Sequence, residues 1–314
     1  MFGRSGGPQP ASKRFMSPTL ILPALAKINL SLRVLAKRHD GYHDLDTIYQ
    51  TISLHDTIKF SASDGPHVVV SCNDRTLPAD ENNLIVRAAK ALQSRFAAGQ
   101  GAFIRLDKRI PMQAGLGGGS SDAAVTLIAL ARLWQINLTR AELITLGSEL
   151  GADVSFFFYG GTARATGVGD RIEPLADTRE KFLLVVKPTA NISTTVAYKA
   201  LGEGSLTSLY AETILSTSQP TADTDKIDSA NLRNDFEAVV FDLEPEIRRA
   251  RNAVLQAGAA AALLAGSGSA VFGIFDSEDA QRRAIQAIEL ETGWRVFPCR
   301  TVSRSEYGNA LALS

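Results

Sequence analysis

The stretch that most constrains this chain is Gly115-Leu116-Gly117-Gly118-Gly119-Ser120-Ser121-Asp122-Ala123-Ala124. Four glycines in five positions free the backbone to adopt positive φ and keep Cβ atoms away from anything bound there. Ser120, Ser121 and Asp122 are residue types that cap helices, and Ala123 to Trp134 then reads as a mostly buried helix. A glycine loop opening onto a helix N-terminus offers unpaired N–H groups and roughly half a unit of positive charge, which favours an anion. The sequence therefore predicts a phosphate cradle. Two common nucleotide fingerprints do not fit it. No Lys-Ser/Thr pair ends the run, as a P-loop requires, and Ser120 stands where the dinucleotide pattern needs its third glycine. A plain glycine linker is the bland alternative, but a linker has no reason to run straight into a long apolar helix.

Lys plus Arg and Asp plus Glu balance at 33 each, so no global field draws nucleic acid or an acidic membrane, and any anion must be held locally. The 314 residues, 45% hydrophobic, suffice for two domains, each with a core of its own. Residues 1–19 read as a disordered extension rich in Gly, Pro, Ser and basic residues, residues 20–178 as a first domain and 179–314 as a second. Cys72 and Cys299 are too few and too isolated for a disulfide framework or a metal site, which fits a reducing cytoplasm. No apolar run reaches transmembrane length.

Ala26 to Val34 alternates at period two and places Lys27, Asn29 and Ser31 on one face. Taken alone, that face reads first as the solvated side of a half-exposed strand. Asp40-Gly41-Tyr42-His43 is a turn in which Tyr42 suits stacking on a nucleobase and His43 suits its polar edge, although exposed rings on a hairpin fit equally well. Strands are expected at 47–54, 57–61 and 68–71, a helix from Asn82 or Asn83 to Leu92, and a strand at 102–106. Lys108 and Arg109 follow, either serving the glycine loop or forming an exposed basic pair. Thr139 and Glu142 have the spacing of a capping box for a helix ending at Gly151. Asp153 then precedes a strongly apolar run, where a charge is costly unless paired, and Lys27 is the candidate partner.

In the second half the sequence predicts a strand at 182–186, a loop with a short helix at 202–226, and a helical region from Asn234 with Pro245 inside or between helices. Gly266-Ser267-Gly268 forms a small-residue turn between two apolar segments, before a helix at 277–290 and a strand at 294–298.

Pro23 to Leu30, Gly115 to Ala124 and Leu264 to Phe272 together resemble the three ordered motifs of the GHMP kinases. Asp40-Gly41-Tyr42-His43, Asn83 to Ala89 and Gly151-Ala152-Asp153-Val154 resemble the branch of that family whose acceptor is a CDP-linked methylerythritol. The resemblance spans Leu20 to Phe275 and departs at Ser155, where a proline is expected. It implies an α/β (α+β) two-domain fold, with a ribosomal S5-like N-terminal domain that binds ATP and a ferredoxin-like C-terminal domain for the substrate. It also implies transfer of the ATP γ-phosphate to the acceptor's 2-hydroxyl.

Carried over by position, Asp153 is the catalytic base and Lys27 its partner. Pro111, Met112, Gln113, Ala114, Gly115, Leu116, Gly117, Gly118, Gly119, Ser120 and Ser121 cradle ATP, with Asn83 and Lys108 toward its adenosine. Asn29 lies near the accepting end of the substrate, Tyr42, His43 and Tyr198 surround the cytosine, and Thr194 lies close by. Gly266, Ser267 and Gly268 support the phosphate loop. Independently of the resemblance, the triphosphate needs charge neutralisation, so magnesium (Mg2+) is expected with Ser120 or Ser121 as a candidate contact and no dedicated protein site. The expected partner is the CDP-linked alcohol alone, bound by a cytoplasmic monomer or weak homodimer. Competing readings are a kinase for mevalonate or homoserine, which carry no base to stack, and a nucleotide-binding regulatory module, which would not need both Lys27 and Asp153.

An alkyl hydroxyl titrates near 15.7 and an ordinary aspartate near 3.9, so complete prior deprotonation would cost about 16 kcal/mol. The proton must instead leave late, as a loose phosphoryl-transfer transition state permits.

Overall fold

The computed structural model describes residues 19–78, 80–97, 99–202 and 232–313. The expected N-terminal extension, apart from Thr19, and nearly all of the expected loop at 202–226 lie outside the described residues.

Two long strands, β1 (Thr19–Lys37) and β2 (His43–Ser63), run antiparallel from the Asp-Gly turn, where Gly41 takes a φ of 88°. β2 is continuous where two strands were expected, because His55 and Asp56 keep pairing with Leu25 and Ala24 instead of turning. With β3 (Val68–Cys72), β4 (Gly101–Asp107) and the two-residue β8 (Arg233–Asn234), they form a sheet ordered β3-β4-β2-β1-β8. β5 (Thr162–Gly167) and β6 (Arg171–Pro174) extend it from the other end of β2. Register shifts between Leu25 and Lys27 and between Asn29 and Ser31 interrupt the ladder, and such bulges re-aim side chains. The polar face of β1 is consequently not solvated: Lys27 is 4% exposed and Asn29 fully buried.

Three helices cover one face of this sheet: α1 (Leu84–Phe96), α2 (Gly118–Leu133) and α3 (Arg140–Leu150). Asn83 caps α1 by accepting from the Ile85 N–H, and the Thr139–Glu142 capping box starts α3. α2 is buried without a break from Ser121 to Ala131, as its nearly uniform apolar sequence requires.

The second sheet, β11-β7-β10-β9, is antiparallel and comprises β7 (Phe182–Lys187), β9 (Ala261–Leu264), β10 (Val271–Phe275) and β11 (Arg295–Arg300). α4 (Thr194–Leu201), α5 (Glu237–Leu243), α6 (Pro245–Gln256) and α7 (Glu278–Ile288) accompany it. Pro245 takes the first position of α6, where its missing N–H costs nothing. Asn234 lies in β8 and not at the start of a helix, because Leu32 of β1 pairs with it. These two layered units match the expected two-domain α+β class.

A third apolar cluster joins the sheets, with Ile28, Ile52 and Leu116 from the first half against Leu183, Val185 and Phe272 from the second. The last helix, α8 (Arg304–Ala310), returns to the first core, where Tyr307 is fully buried and donates to the Phe157 carbonyl. The cleft thus lies between units tied together at two places.

Candidate active site

Three segments distant in sequence meet at the glycine loop through backbone hydrogen bonds. The Lys27 N–H donates to the Leu116 carbonyl at 3.0 Å, Ser269 N–H to Gln113 at 3.1 Å, and Ala270 N–H to Ala114 at 3.3 Å. Gly115 has a φ of 75°, and a Cβ there would stand 1.8 Å from the Ala265 carbonyl oxygen. Gly117, with a φ of 68°, leaves room for Lys27 Cγ and Phe157 Cζ, which a Cβ would meet at 3.0 and 3.1 Å.

Helix α2 begins at Gly118, with left-handed Gly117 as its cap and no side-chain capping bond. Ser120, Ser121 and Asp122 therefore lie within the helix, correcting the expectation that they cap it. The glycine supplies the change of direction that a capping residue would otherwise give, and the first N–H groups receive no side-chain oxygen. An anion can take them.

The loop forms one wall of a cleft of about 390 Å³. Pro111, Met112, Gln113, Ala114, Gly115, Leu116, Gly117, Gly118, Gly119 and Ser120 line it, with Lys27, Asn29, Lys108 and Asp153. Thr194 and Tyr198 of α4, with Gly266 and Ser267, complete the opposite side. Some expected residues fall outside this lining. Asn83 has both side-chain groups engaged, accepting from Ile85 N–H and donating to the Pro78 carbonyl, and its neighbour Leu84 lines the cleft instead. Tyr42 is 66% exposed on the β1–β2 turn. Ser121 is buried, and Gly268 packs behind the turn against Ile192 and Leu264.

At the centre, Lys27 Nζ stands 3.4 Å from Asp153 Oδ2 and donates to Asn29 Oδ1 at 2.9 Å. Asn29 Nδ2 donates to Thr47 Oγ1 at 2.7 Å, and Thr47 in turn donates to the Ser31 carbonyl at 2.6 Å. Asp153 sits on a short 3₁₀ segment, Ala152–Phe158, whose Val154 to Phe158 are buried and anchor it. The apolar run that makes its charge costly also holds it at the cleft edge. Sequence reasoning missed Tyr49, whose hydroxyl donates to Asp153 Oδ1 at 2.8 Å and whose ring centroid lies 5.0 Å from Lys27 Nζ. Burial, reinforced by the Asp153 charge, pushes the Tyr49 phenol well above its ordinary range, so it remains a donor.

Lys108 is not half of an exposed basic pair. Its ammonium lies between Asp56 Oδ2 at 2.5 Å and Asp122 Oδ2 at 2.8 Å, while Asp56 Oδ1 accepts the Arg109 and Ile110 N–H groups. Burial opposes the charge on Lys108, but Asp122 and Asp56 outweigh it and raise its affinity for the proton. Burial raises the Asp122 carboxyl above the usual carboxylate range against the pull of Lys108. Asp56 and Asp122 were both missed because an aspartate between two expected strands and one at a helix start are commonplace. Ser121 Oγ and Asp122 Oδ1 have no hydrogen-bond partner among the described residues.

At the other end, His43, itself outside the lining, stacks its ring on Tyr198 with centroids 5.1 Å apart and planes 26° apart, and Phe236 meets Tyr198 edge-on at 4.8 Å. Burial, then the nearby charge of Lys37, lowers the affinity of His43 for a proton, and burial raises the Tyr198 phenol to about 12. Thr194 Oγ1 and Ser267 Oγ are 3.0 Å apart. Asn234 of β8 ties this turn to β1, donating to the Leu264 carbonyl at 2.9 Å and the Gly266 carbonyl at 2.7 Å.

Comparison with known proteins agrees with the geometry. Residues 83–161 match the GHMP kinases N terminal domain and residues 222–292 the GHMP kinases C terminal domain. The 4-diphosphocytidyl-2-C-methyl-D-erythritol kinase of Solibacter usitatus is 44% identical over 290 residues, covering 91% of this chain and 90% of that protein. The protein of the same name from Syntrophus aciditrophicus is 39% identical, covering 88% and 97%. A crystal structure of 4-(cytidine 5'-diphospho)-2C-methyl-D-erythritol kinase superposes with a TM-score of 0.71 at 33% identity, covering 90% of this chain and 99% of that one. Homoserine kinase from Cytophaga hutchinsonii, at 19% identity and a TM-score of 0.70, covers 94% of this chain and 98% of its own and shares the fold. The chain belongs to the 4-diphosphocytidyl-2-C-methyl-D-erythritol kinase family of the GHMP kinases.

Proposed function

We propose that the chain transfers the γ-phosphate of ATP to the 2-hydroxyl of 4-(cytidine 5'-diphospho)-2-C-methyl-D-erythritol, giving the 2-phosphate and ADP. This reaction belongs to the non-mevalonate route to isoprenoid precursors. The observation that carries it is the Lys27–Asp153 pair, 3.4 Å apart, lining the same cleft as the open N-terminus of α2. An anion cradle alone binds a phosphate. A carboxylate and an ammonium beside it supply a proton acceptor and a charge for the moving group.

In this reading the glycine loop holds the triphosphate of ATP and Asp153 orients the acceptor hydroxyl. The acceptor O–P bond forms as the bond to ADP breaks, and the hydroxyl proton passes late to Asp153. Lys27, fixed by Asn29, balances the negative charge that gathers there. His43 and Tyr198 hold the cytosine, with Thr194 alongside. Magnesium neutralises the triphosphate when bound. Of the two serines expected to contact it, Ser120 lines the cleft at the open start of α2 and would hold it, whereas Ser121 is buried outside the lining. Lys108 acts through the loop it braces, and Asn83 through the start of α1.

We infer ATP binding mainly by residues 20–178 and acceptor binding mainly by 179–314, in a cytoplasmic monomer or weak homodimer without nucleic-acid or membrane partners. No helix among the described residues is long and apolar enough to cross a membrane. Phosphorus NMR of the cytidine substrate incubated with enzyme, ATP and magnesium tests the reading. It predicts a new phosphomonoester signal growing with that of ADP, and ADP formation without that signal would refute it.

A further inference from the structure

We propose that Tyr49 is a positioning residue for the reaction, setting which oxygen of Asp153 receives the proton. The inference rests on the reading of Asp153 as base. Tyr49 lies on β2, the central strand of the first sheet, where its backbone pairs with Asn29 of β1 on one side and Ala163 of β5 on the other. Its side chain is 2% exposed, and its ring meets Phe156 at 5.0 Å. The hydroxyl has room because residue 169 is glycine: a Cβ there would come within 2.9 Å of it. Side chain and backbone are thus both immobilised, and the phenol has one hydrogen to give.

That hydrogen goes to Asp153 Oδ1 at 2.8 Å, whereas Oδ2 faces Lys27 Nζ at 3.4 Å. A carboxylate at the cleft edge, one-third exposed, would otherwise rotate and share its proton affinity between two oxygens. With Oδ1 held by Tyr49 and Oδ2 left beside Lys27, the oxygen that faces the ammonium takes the hydroxyl proton. The tyrosine keeps its own proton throughout, since burial and the Asp153 charge both oppose its ionisation. The same ring forms an aromatic surface 5.0 Å from the Lys27 ammonium, so one side chain steadies both members of the pair.

Tyr49→Phe keeps the ring, and with it the contacts to Phe156 and Lys27, and removes the one hydrogen bond. A bond to a charged acceptor at a reacting centre corresponds to about a ten- to hundredfold change in rate. The test measures kcat and both KM values for wild type, Tyr49→Phe, Asp153→Asn and the double variant. The expected result is a kcat about ten- to hundredfold lower in Tyr49→Phe with KM values within about twofold, and almost no further loss when Tyr49→Phe is added to Asp153→Asn. Equal losses in both backgrounds would make the tyrosine a packing residue and overturn the proposal. So would an unchanged kcat in Tyr49→Phe while Asp153→Asn is inactive, which leaves the base assignment standing. Near-normal turnover in Asp153→Asn would instead remove the base assignment and this proposal with it.

Discussion

Gly115 and Ala265 touch backbone to backbone: a single methyl on Gly115 would stand 1.8 Å from the Ala265 carbonyl oxygen. The glycine loop of the first half and the small-residue turn of the second are therefore packed as one object, and both line the cleft.

Gly115→Ala meets both this clash and a φ of 75°, so it is expected to destabilise the protein by more than about 1 kcal/mol and to weaken ATP binding. Gly119→Ala is the contrast, because its Cβ would find Leu84 at an ordinary 3.5 Å and its φ is not positive. Thermal melts of the two variants should differ by several degrees, with Gly119→Ala close to wild type.

Removing Asp56 takes one of its two carboxylates from the buried Lys108 ammonium and leaves two backbone N–H groups without their acceptor. Asp56→Ala is expected to cost about 3–5 kcal/mol, the range for breaking a buried ion pair from one side. Urea titration measures this, and a loss below about 1 kcal/mol would mean that the Lys108 cluster does not brace the loop.

Tyr198 is held between His43 and Phe236 without being covered on the cleft side. Tyr198→Ala should raise the KM for the cytidine substrate by about tenfold or more, the scale of losing one base–aromatic stack, and leave the KM for ATP nearly unchanged. Steady-state kinetics with each substrate varied in turn checks it.

His43 contributes a pH dependence whose sign follows from its environment. Burial and Lys37 lower its folded-state proton affinity below that of the unfolded chain. The stability it contributes is therefore present above the ordinary histidine value, about 6.5, and is lost as pH falls through the lower folded value. Melting temperatures of wild type and His43→Gln should shift in favour of the variant between about pH 6.5 and 5. A difference that stays constant across that interval would contradict the assignment.

The sequence exposed those parts of the site whose chemistry shows in local pattern. Glycine spacing marked the left-handed turn that opens α2, and the Asp-Gly turn gave the hairpin that carries His43. A charge beside Val154 to Phe158 demanded a partner, and Lys27 proved to be that partner at 3.4 Å. Tyr49 stayed hidden because an aromatic residue in a strand is ordinary core, and only the pairing of β2 with β1 and β5 brings it under Asp153. The start of α2 was misplaced because Ser120 to Asp122 resemble caps, whereas a left-handed glycine does that work and keeps the N–H groups open. The return of α8 to the first core had no local signal, since Tyr307 looks like any helical tyrosine until it meets Phe157.

The most direct measurement is ADP release by the purified protein with ATP and magnesium, offered in turn the cytidine-linked methylerythritol, mevalonate and homoserine. The account predicts ADP release with the cytidine substrate alone and its loss in Asp153→Asn with nucleotide binding retained. ADP release with mevalonate or homoserine but not with the cytidine substrate would contradict it.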